Sequence, residues 1–167
     1  MKRSLWILGV CIILGAVIFT TIIVKYNVHT DLSGENIDNL YLLSDVTAYI
    51  ESKKLQPSED VMHPGYTIYE FENVFAKRLT IKEENGQNKI YRIGTSNLES
   101  KTSKNISIGS TVEELISIYG EEYTEHWSDQ VDKLIKYKDK ENDITLTFYI
   151  YQNKVDHINL EITDFYK

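Results

Sequence analysis

The chain has 167 residues, 42% of them apolar, and carries 25 acidic against 18 basic side chains, which gives a formal net charge of −7. This length suits one domain or two very small ones. The acidity argues against nucleic acid as a partner, because the phosphate backbone attracts basic surfaces. The one cysteine, Cys11, excludes a disulfide framework, so the fold must depend on its core.

The N-terminal apolar run predicts a transmembrane helix. Residues 5–24 read LWILGVCIILGAVIFTTIIV, without a charge, and a helix of this length spans a hydrocarbon core of about 30 Å. Residues 1–4 would form a cytoplasmic tip and residues 25–36 a linker. Lys2 and Arg3 precede the run, so the positive-inside rule places the N-terminus in the cytoplasm. The sequence thus predicts a single-pass cell-membrane protein with an extracytoplasmic C-terminal domain.

Two other kinds of N-terminal signal compete with this interpretation. A cleaved signal peptide has a shorter apolar core and a small-x-small cleavage site, which the residues after Val24 lack. A lipoprotein signal needs a small residue directly before its cysteine, and Val10 is not small. An uncleaved signal anchor is therefore favoured, with Cys11 packed in the membrane as a small hydrophobe.

The rest of the chain indicates an internal duplication. The run QNKI at residues 87–90 and the run QNKV at residues 152–155 lie 65 positions apart. Ser44 and Ser110, each followed two residues later by valine, lie 66 positions apart. A recurring offset of this size predicts two related structural units.

Each unit is predicted to be one helix followed by three antiparallel strands. In the second unit, Ser110 and Glu113 fit a capping box, and the apolar spacing predicts a helix over Thr111–Tyr119 that Gly120 closes. In the first unit, the matching helix runs from Asp45 to Lys54 after a cap at Ser44. The predicted strands, marked by period-two alternation, lie near residues 66–73, 75–84, 88–95, 133–138, 144–151 and 155–162.

The predicted fold class is therefore α+β: an N-terminal transmembrane helix followed by two helix-plus-three-strand antiparallel sheet repeats. The halves are residues 37–95 and 96–167. The apolar face of each helix should pack on one face of a sheet. The residues predicted to meet in this core are Ile50, Leu115, Ile116, Leu146, Phe148, Ile158 and Leu160.

One stretch resembles the motif of a known group of modules. Residues 108–115 read IGSTVEEL and are followed by Tyr119-Gly120-Glu121. This resembles the "IGxTxEEVxxxxGxP" pattern of small helix-then-sheet modules of the β-lactamase-inhibitor-protein type and of outer-membrane-assembly lipoproteins. The proline of that pattern is absent here, because Glu122 follows Glu121. The resemblance implies a tandem fold and a non-catalytic protein-binding role, and it transfers no binding residue.

Motifs for catalysis and for metal binding are missing from the sequence. There is no G-x-S-x-G elbow, and the four histidines do not pair at metal-ligand spacing. The acidic segment 121–132 lacks the oxygen-ligand spacing and the glycine of an EF-hand loop. No catalytic residue, no metal ligand and no cofactor is predicted.

Two places have the composition of a contact surface. Segment 121–132 mixes acidic side chains with aromatic ones, and a predicted strand near the C-terminus places Thr145, Thr147, Tyr149 and Tyr151 on one face. Tyrosines suit interfaces because they bury area at low entropy cost and keep a polar tip. The predicted partner-binding residues are Tyr123, His126, Trp127, Tyr149 and Tyr151.

The sequence as a whole predicts a membrane-anchored, extracytoplasmic and non-enzymatic binding module. Its partner would be the membrane through residues 5–24 and an unidentified protein or cell-envelope component, with modulation of an envelope enzyme as one role. The alternative is an envelope hydrolase or accessory domain acting through the acidic segment 121–132. A structural anchor or sensor domain is the third interpretation.

Overall fold

The computed structural model describes residues 30–60, 63–71 and 77–165. Within these ranges the chain forms two helices and ten strands. The helices are α1 (Thr47–Lys53) and α2 (Val112–Tyr119). The strands are β1 (Asn36–Ile37), β2 (Leu40–Tyr41), β3 (Pro57–Glu59), β4 (Thr67–Glu70), β5 (Lys77–Glu84), β6 (Gln87–Thr95), β7 (Thr124–Trp127), β8 (Lys133–Asp139), β9 (Ile144–Tyr151) and β10 (Lys154–Ile162).

Eight of these strands form one antiparallel sheet in the order β3-β4-β5-β6-β10-β9-β8-β7. The order is mirrored about the central pair, in which β10 runs antiparallel to β6 with Ile158 opposite Thr95 and Glu161 opposite Arg92. Strands β1 and β2 pair separately as a small hairpin. The central pair therefore makes a single continuous sheet out of strands that lie far apart in the sequence.

The predicted fold class was wrong. Strand accounts for 47% and helix for 12% of the described structure, which is one eight-stranded antiparallel sheet rather than two helix-plus-three-strand repeats. Strands β3 and β7 were missed because their sequences, PSE and TEHW, show no apolar alternation. They form the two outer edges of the sheet, where both faces are open to solvent and a strand needs no apolar side. The underlying duplication stays a prediction.

The predicted transmembrane helix at residues 5–24 lies outside the described residues. Neither helix in residues 30–60, 63–71 and 77–165 has the length and the apolar composition that a membrane span requires. The prediction of a single-pass cell-membrane protein is corrected accordingly: the described structure is a mostly β domain without a membrane-spanning helix. The apolar run dominated that prediction, and the described domain holds no comparable segment.

Two tight hairpins set the register on either side of the central pair. Asn85 and Gly86 join β5 to β6 with φ of 54° and 76°, and Gln152 and Asn153 join β9 to β10 with φ of 50° and 61°. Two successive left-handed residues form the type I′ turn that matches the twist of antiparallel strands. The Asn-Gly pair at positions 85 and 86 is the dipeptide that most favours such a turn.

Both helices are placed as predicted, but their caps differ. In α2 the capping box uses Thr111 and Glu114, one residue beyond the predicted pair. The hydroxyl of Ser110 instead accepts a hydrogen bond from the backbone N–H of Ser107 at 3.2 Å. In α1 the cap position is Val46, and the Ser44 hydroxyl donates backward to the carbonyl of Tyr41 at 2.7 Å. Ser44 and Ser110 therefore organise the loops before the helices.

The core lies between the helices and one face of the sheet. Ile50 of α1 and Leu115 of α2 are buried together with Leu146 and Phe148 of β9, and Ile116 packs at the edge of the same cluster. Ile158 and Leu160 of β10 are fully buried as well. The predicted core residues are confirmed, because alternation along a strand fixes which side chains share a face.

Candidate functional site

The eight-stranded sheet has a second face, which points away from the core and is called the polar face here. Ile135, Phe148 and Ile158 lie opposite one another on β8, β9 and β10, and all three are fully buried in the core. Their neighbours along the three strands, Leu134, Tyr149 and His157, also lie opposite one another. Because successive side chains point to opposite faces, this second row belongs to the polar face.

The row at Tyr149 extends across four strands. His126 of β7 lies opposite Leu134 of β8, which lies opposite Tyr149 of β9 and then His157 of β10. The rings of Tyr149 and His157 meet edge to face, with centroids 5.1 Å apart. This geometry is favourable for aromatic pairs and holds the tyrosine in place.

His157 lies against the central strand pair, where the backbone of β6 comes close. A Cβ placed on Gly94 would lie only 3.3 Å from His157 Nε2 and 3.4 Å from the amide oxygen of Asn159. Burial lowers the pKa of His157 below its ordinary value; Asp156 opposes the shift, while Arg78 and Arg92 reinforce it. A glycine at position 94 therefore leaves the space that the imidazole and the Asn159 amide occupy.

Three glutamates that the strands place on the polar face are each paired with a basic side chain. Pairing of this kind contributes little stability when exposed but fixes the side chains in place. The pairs are Arg78–Glu70 at 2.5 Å, Lys82–Glu84 at 3.3 Å and Arg92–Glu161 at 2.5 Å. These three carboxylates are thus already neutralised by neighbouring cations.

Four lysines on the same face have no ion-pair partner within the described part of the chain. By register, Lys89 lies opposite Lys82, Lys136 opposite Thr147, Lys138 opposite Thr145, and Lys154 opposite Tyr151. The polar face therefore carries a local excess of positive charge in a chain whose formal net charge is −7.

An aromatic cluster covers the β5–β6 side of the polar face. Tyr66, Tyr91 and Phe165 have ring centroids 5.3 to 5.9 Å apart, and the guanidinium carbon of Arg92 lies 5.1 Å from the Phe165 ring. Burial, together with the hydroxyl donated to Glu84 at 2.6 Å, raises the pKa of Tyr91 to about 12. Sequence reasoning missed this cluster because Phe165 follows the last strand, where no periodic pattern marks it.

The structure brings three of the five predicted partner-binding residues to one face. Tyr149 and Tyr151 lie on the polar face, and His126 joins them on β7. Trp127 is 83% exposed, but it lies one position along β7 and points to the opposite side of the sheet. Tyr123 is partly buried against the core, with its ring 5.8 Å from that of Tyr137.

Two carboxylates of the acidic segment 121–132 are tied into contacts with neighbouring strands and turns. Lys133 pairs with Glu125 at 3.0 Å, and Asp132 accepts the backbone N–H of Gln152 at 2.6 Å. Among the described residues, no group of three or more histidine, cysteine, aspartate or glutamate side chains could hold a metal ion. These two carboxylates serve hydrogen bonds that fasten β7 and the β9–β10 hairpin.

A polar groove of about 330 Å³ lies beside the β1–β2 hairpin, away from the polar face. It is lined by Asn36, Asp38, Asn39, Glu99, Lys101, Thr102, Ser103 and Asn105. Asp38 pairs with Lys77 and accepts hydrogen bonds from Ser100 and the backbone of Lys101. Burial opposes ionisation of Asp38, but these donors outweigh it and lower its pKa. The groove is thus built around bonds that tie the hairpin to the loop between the two halves.

Comparison with known proteins adds a structural likeness. No family model matches the chain, and no curated protein matches it significantly. The crystal structure of a cysteine-rich secretory protein from Staphylococcus aureus is 15% identical, with a TM-score of 0.44 over 74% of this chain. The match covers 45% of that structure. A likeness at this level supports no conclusion about function, and the resemblance to tandem inhibitor-like modules stays a prediction.

Proposed function

We propose that this domain is a non-enzymatic protein-binding module. Its docking surface is the β7–β10 part of the polar face, defined by Leu134, Lys136, Lys138, Tyr149 and Tyr151. The observation that carries the proposal is that Leu134 and Tyr149 lie side by side on the face that the core does not use. Apolar and aromatic side chains placed in this way favour contact with another protein.

The docking surface is rigid enough to bind without much loss of conformational freedom. Its strands are hydrogen-bonded on both sides, except at β7, and Tyr149 is fixed by the ring of His157. Thr145, Thr147 and Asn159 lie between the longer side chains of this face and are themselves buried. Preorganised side chains lower the entropic cost of association.

The predicted alternative, a hydrolase acting through segment 121–132, has less support. General acid–base catalysis needs a carboxyl group that is free to exchange a proton with a substrate. Two of the five carboxylates in the segment, those of Glu125 and Asp132, are instead engaged by Lys133 and by the backbone of Gln152. The binding interpretation uses side chains that have no such structural task.

Site-specific photocrosslinking tests the proposal in the full chain. A photoreactive phenylalanine analogue replaces Tyr151, which is 51% exposed on the docking surface, or Ile118, which is 44% exposed on helix α2. We expect a discrete crosslinked product in cells from position 151 and none from position 118. The same product at both positions, or at neither, would overturn the proposal.

A second substitution on the same surface distinguishes a crosslink that reports docking from one that arises by chance collision. Leu134→Glu should abolish the crosslink from position 151, because it places a charge in the middle of the contact. Leu98→Glu provides the control, since Leu98 is 74% exposed in the loop between the halves. A crosslink that survives Leu134→Glu but disappears with Leu98→Glu would place the partner elsewhere.

A further inference from the structure

We infer that the docking surface binds an acidic protein segment, one that presents aspartate or glutamate side chains in an extended conformation. This inference rests on the proposed function and adds the chemistry of the partner. It is carried by the distribution of charge over the polar face.

The charge of this face is opposite in sign to that of the chain. Glu70, Glu84 and Glu161 are each held by a basic neighbour, whereas Lys136, Lys138 and Lys154 have no ion-pair partner in the described ranges. The net charge of −7 must therefore come from other surfaces. Charge complementarity across an interface selects partners and accelerates their encounter.

The spacing of the lysines suits an extended segment. Lys136 and Lys138 lie two positions apart on β8 and so project on the same side about 7 Å apart. Alternate side chains of an extended peptide recur at the same spacing.

The same arrangement favours an acidic protein over nucleic acid. Leu134, Tyr149 and Tyr151 surround the lysines with apolar and aromatic area, which a polypeptide can cover. A long polyanion would extend beyond the lysines and be repelled by the negative charge of the remaining surface. A short acidic segment would respond mainly to the nearby lysines, because salt screens charges more than about 8 Å away.

Binding of a labelled poly-glutamate peptide to the full chain tests the inference. We expect binding that weakens as salt is added, while poly-glutamine does not bind. Lys136→Glu combined with Lys138→Glu should weaken the affinity for poly-glutamate by about tenfold or more. The matched control is Lys53→Glu with Lys54→Glu, which makes the same charge change at exposed positions of α1 and its cap.

Each other outcome has a definite meaning. Equal weakening by the control pair would show that net charge, rather than the docking surface, governs binding, and would overturn the inference. Equally tight binding of a single-stranded DNA oligonucleotide would show that the surface binds polyanions in general, and would overturn the choice of an acidic protein as partner. If poly-glutamate does not bind but the crosslink from position 151 persists, the inference of an acidic partner is overturned and the proposed function stands. Lys138→Glu alone, at an exposed position, keeps the test available if the double variant does not fold.

Discussion

The hydroxyl of Tyr119 donates a hydrogen bond of 2.8 Å to the carboxylate of Glu35, across 84 positions of the sequence. Glu35 is only 5% exposed, and its other oxygen accepts the backbone N–H of Ser103 at 2.8 Å. The ammonium of Lys104 lies 4.7 Å from the centre of the Tyr119 ring. Helix α2, the segment before β1 and the loop between the halves are therefore fastened at one buried carboxylate.

Tyr119→Phe should destabilise the domain by about 1–3 kcal/mol, because Glu35 stays buried after losing one of its donors. Urea denaturation followed by far-ultraviolet circular dichroism measures the free energy of unfolding. Tyr41→Phe is the control, since Tyr41 is 45% exposed and should unfold like the parent. An unchanged midpoint for Tyr119→Phe would show that the hydrogen bond contributes nothing net to stability.

His157 should make the domain less stable in mild acid. Its pKa is lowered by burial, so below the ordinary value of 6.5 the unfolded chain takes up a proton that the folded chain does not bind. The free energy of unfolding should therefore fall as the pH drops below 6.5 towards the lower pKa of the folded protein. A nuclear magnetic resonance titration of the imidazole protons should give a midpoint below 6.5.

His157→Gln should remove this part of the pH dependence, because glutamine does not titrate. His126→Gln, at an exposed position on the same face, should leave it in place. A His157 midpoint at or above 6.5 would contradict the conclusion that burial outweighs the attraction of Asp156 for the protonated imidazole.

Gly94→Ala should destabilise the domain by about 1–3 kcal/mol through overpacking. The added methyl group would lie 3.3 Å from His157 Nε2, so the imidazole would have to move. Thermal unfolding measures the loss, and the His157 resonances should shift at the same time. Gly34→Ala is the matched control, since a Cβ there meets nothing within 4 Å, and its stability should not fall.

Thr124→Val should stabilise the domain by about 1 kcal/mol. The Thr124 hydroxyl is buried and has no hydrogen-bond partner in the described part of the chain, and removing an unsatisfied buried polar group is favourable. Thr95→Val should do the reverse, because that hydroxyl donates to Ser100 at 3.1 Å and accepts from Asn97 at 3.2 Å. The urea midpoint should rise above that of the parent for Thr124→Val and fall below it for Thr95→Val. A lower midpoint for Thr124→Val would contradict the first statement.

The elements with strong local patterns could be predicted from the sequence, because a single physical cause sets each of them. Asn85-Gly86 allows two left-handed residues in a row, and the alternation at Leu146 and Phe148 marks a buried face. The joining of the halves could not be predicted, since the pairing of Glu161 with Arg92 depends on contacts between distant segments. Edge strands such as β3 carry almost no apolar signal, because the polar residues that suit them to solvent also remove the alternation by which a strand is recognised.

The candidate site could be predicted only in part. The tyrosines of β9 were identified because their side of the strand was already known from the alternation. The unpaired lysines were not identified, because whether Lys136 or Lys138 has an acidic neighbour is decided by the register of β8 against β9. Trp127 was grouped with His126 in the sequence, but adjacent strand residues point to opposite faces.

The mirrored strand order has a consequence for how the chain folds. Strands β3 to β6, and likewise β7 to β10, pair with their neighbours in sequence and can close short loops early. The β6–β10 ladder forms only when these two meanders meet, so it is the late, long-range step. Until then each meander exposes its innermost strand as an unprotected edge. Interrupted synthesis or proteolytic cleavage between the meanders would leave β6 or β10 open to pairing with another chain, which is the structural route to exchange of halves between molecules and to aggregation.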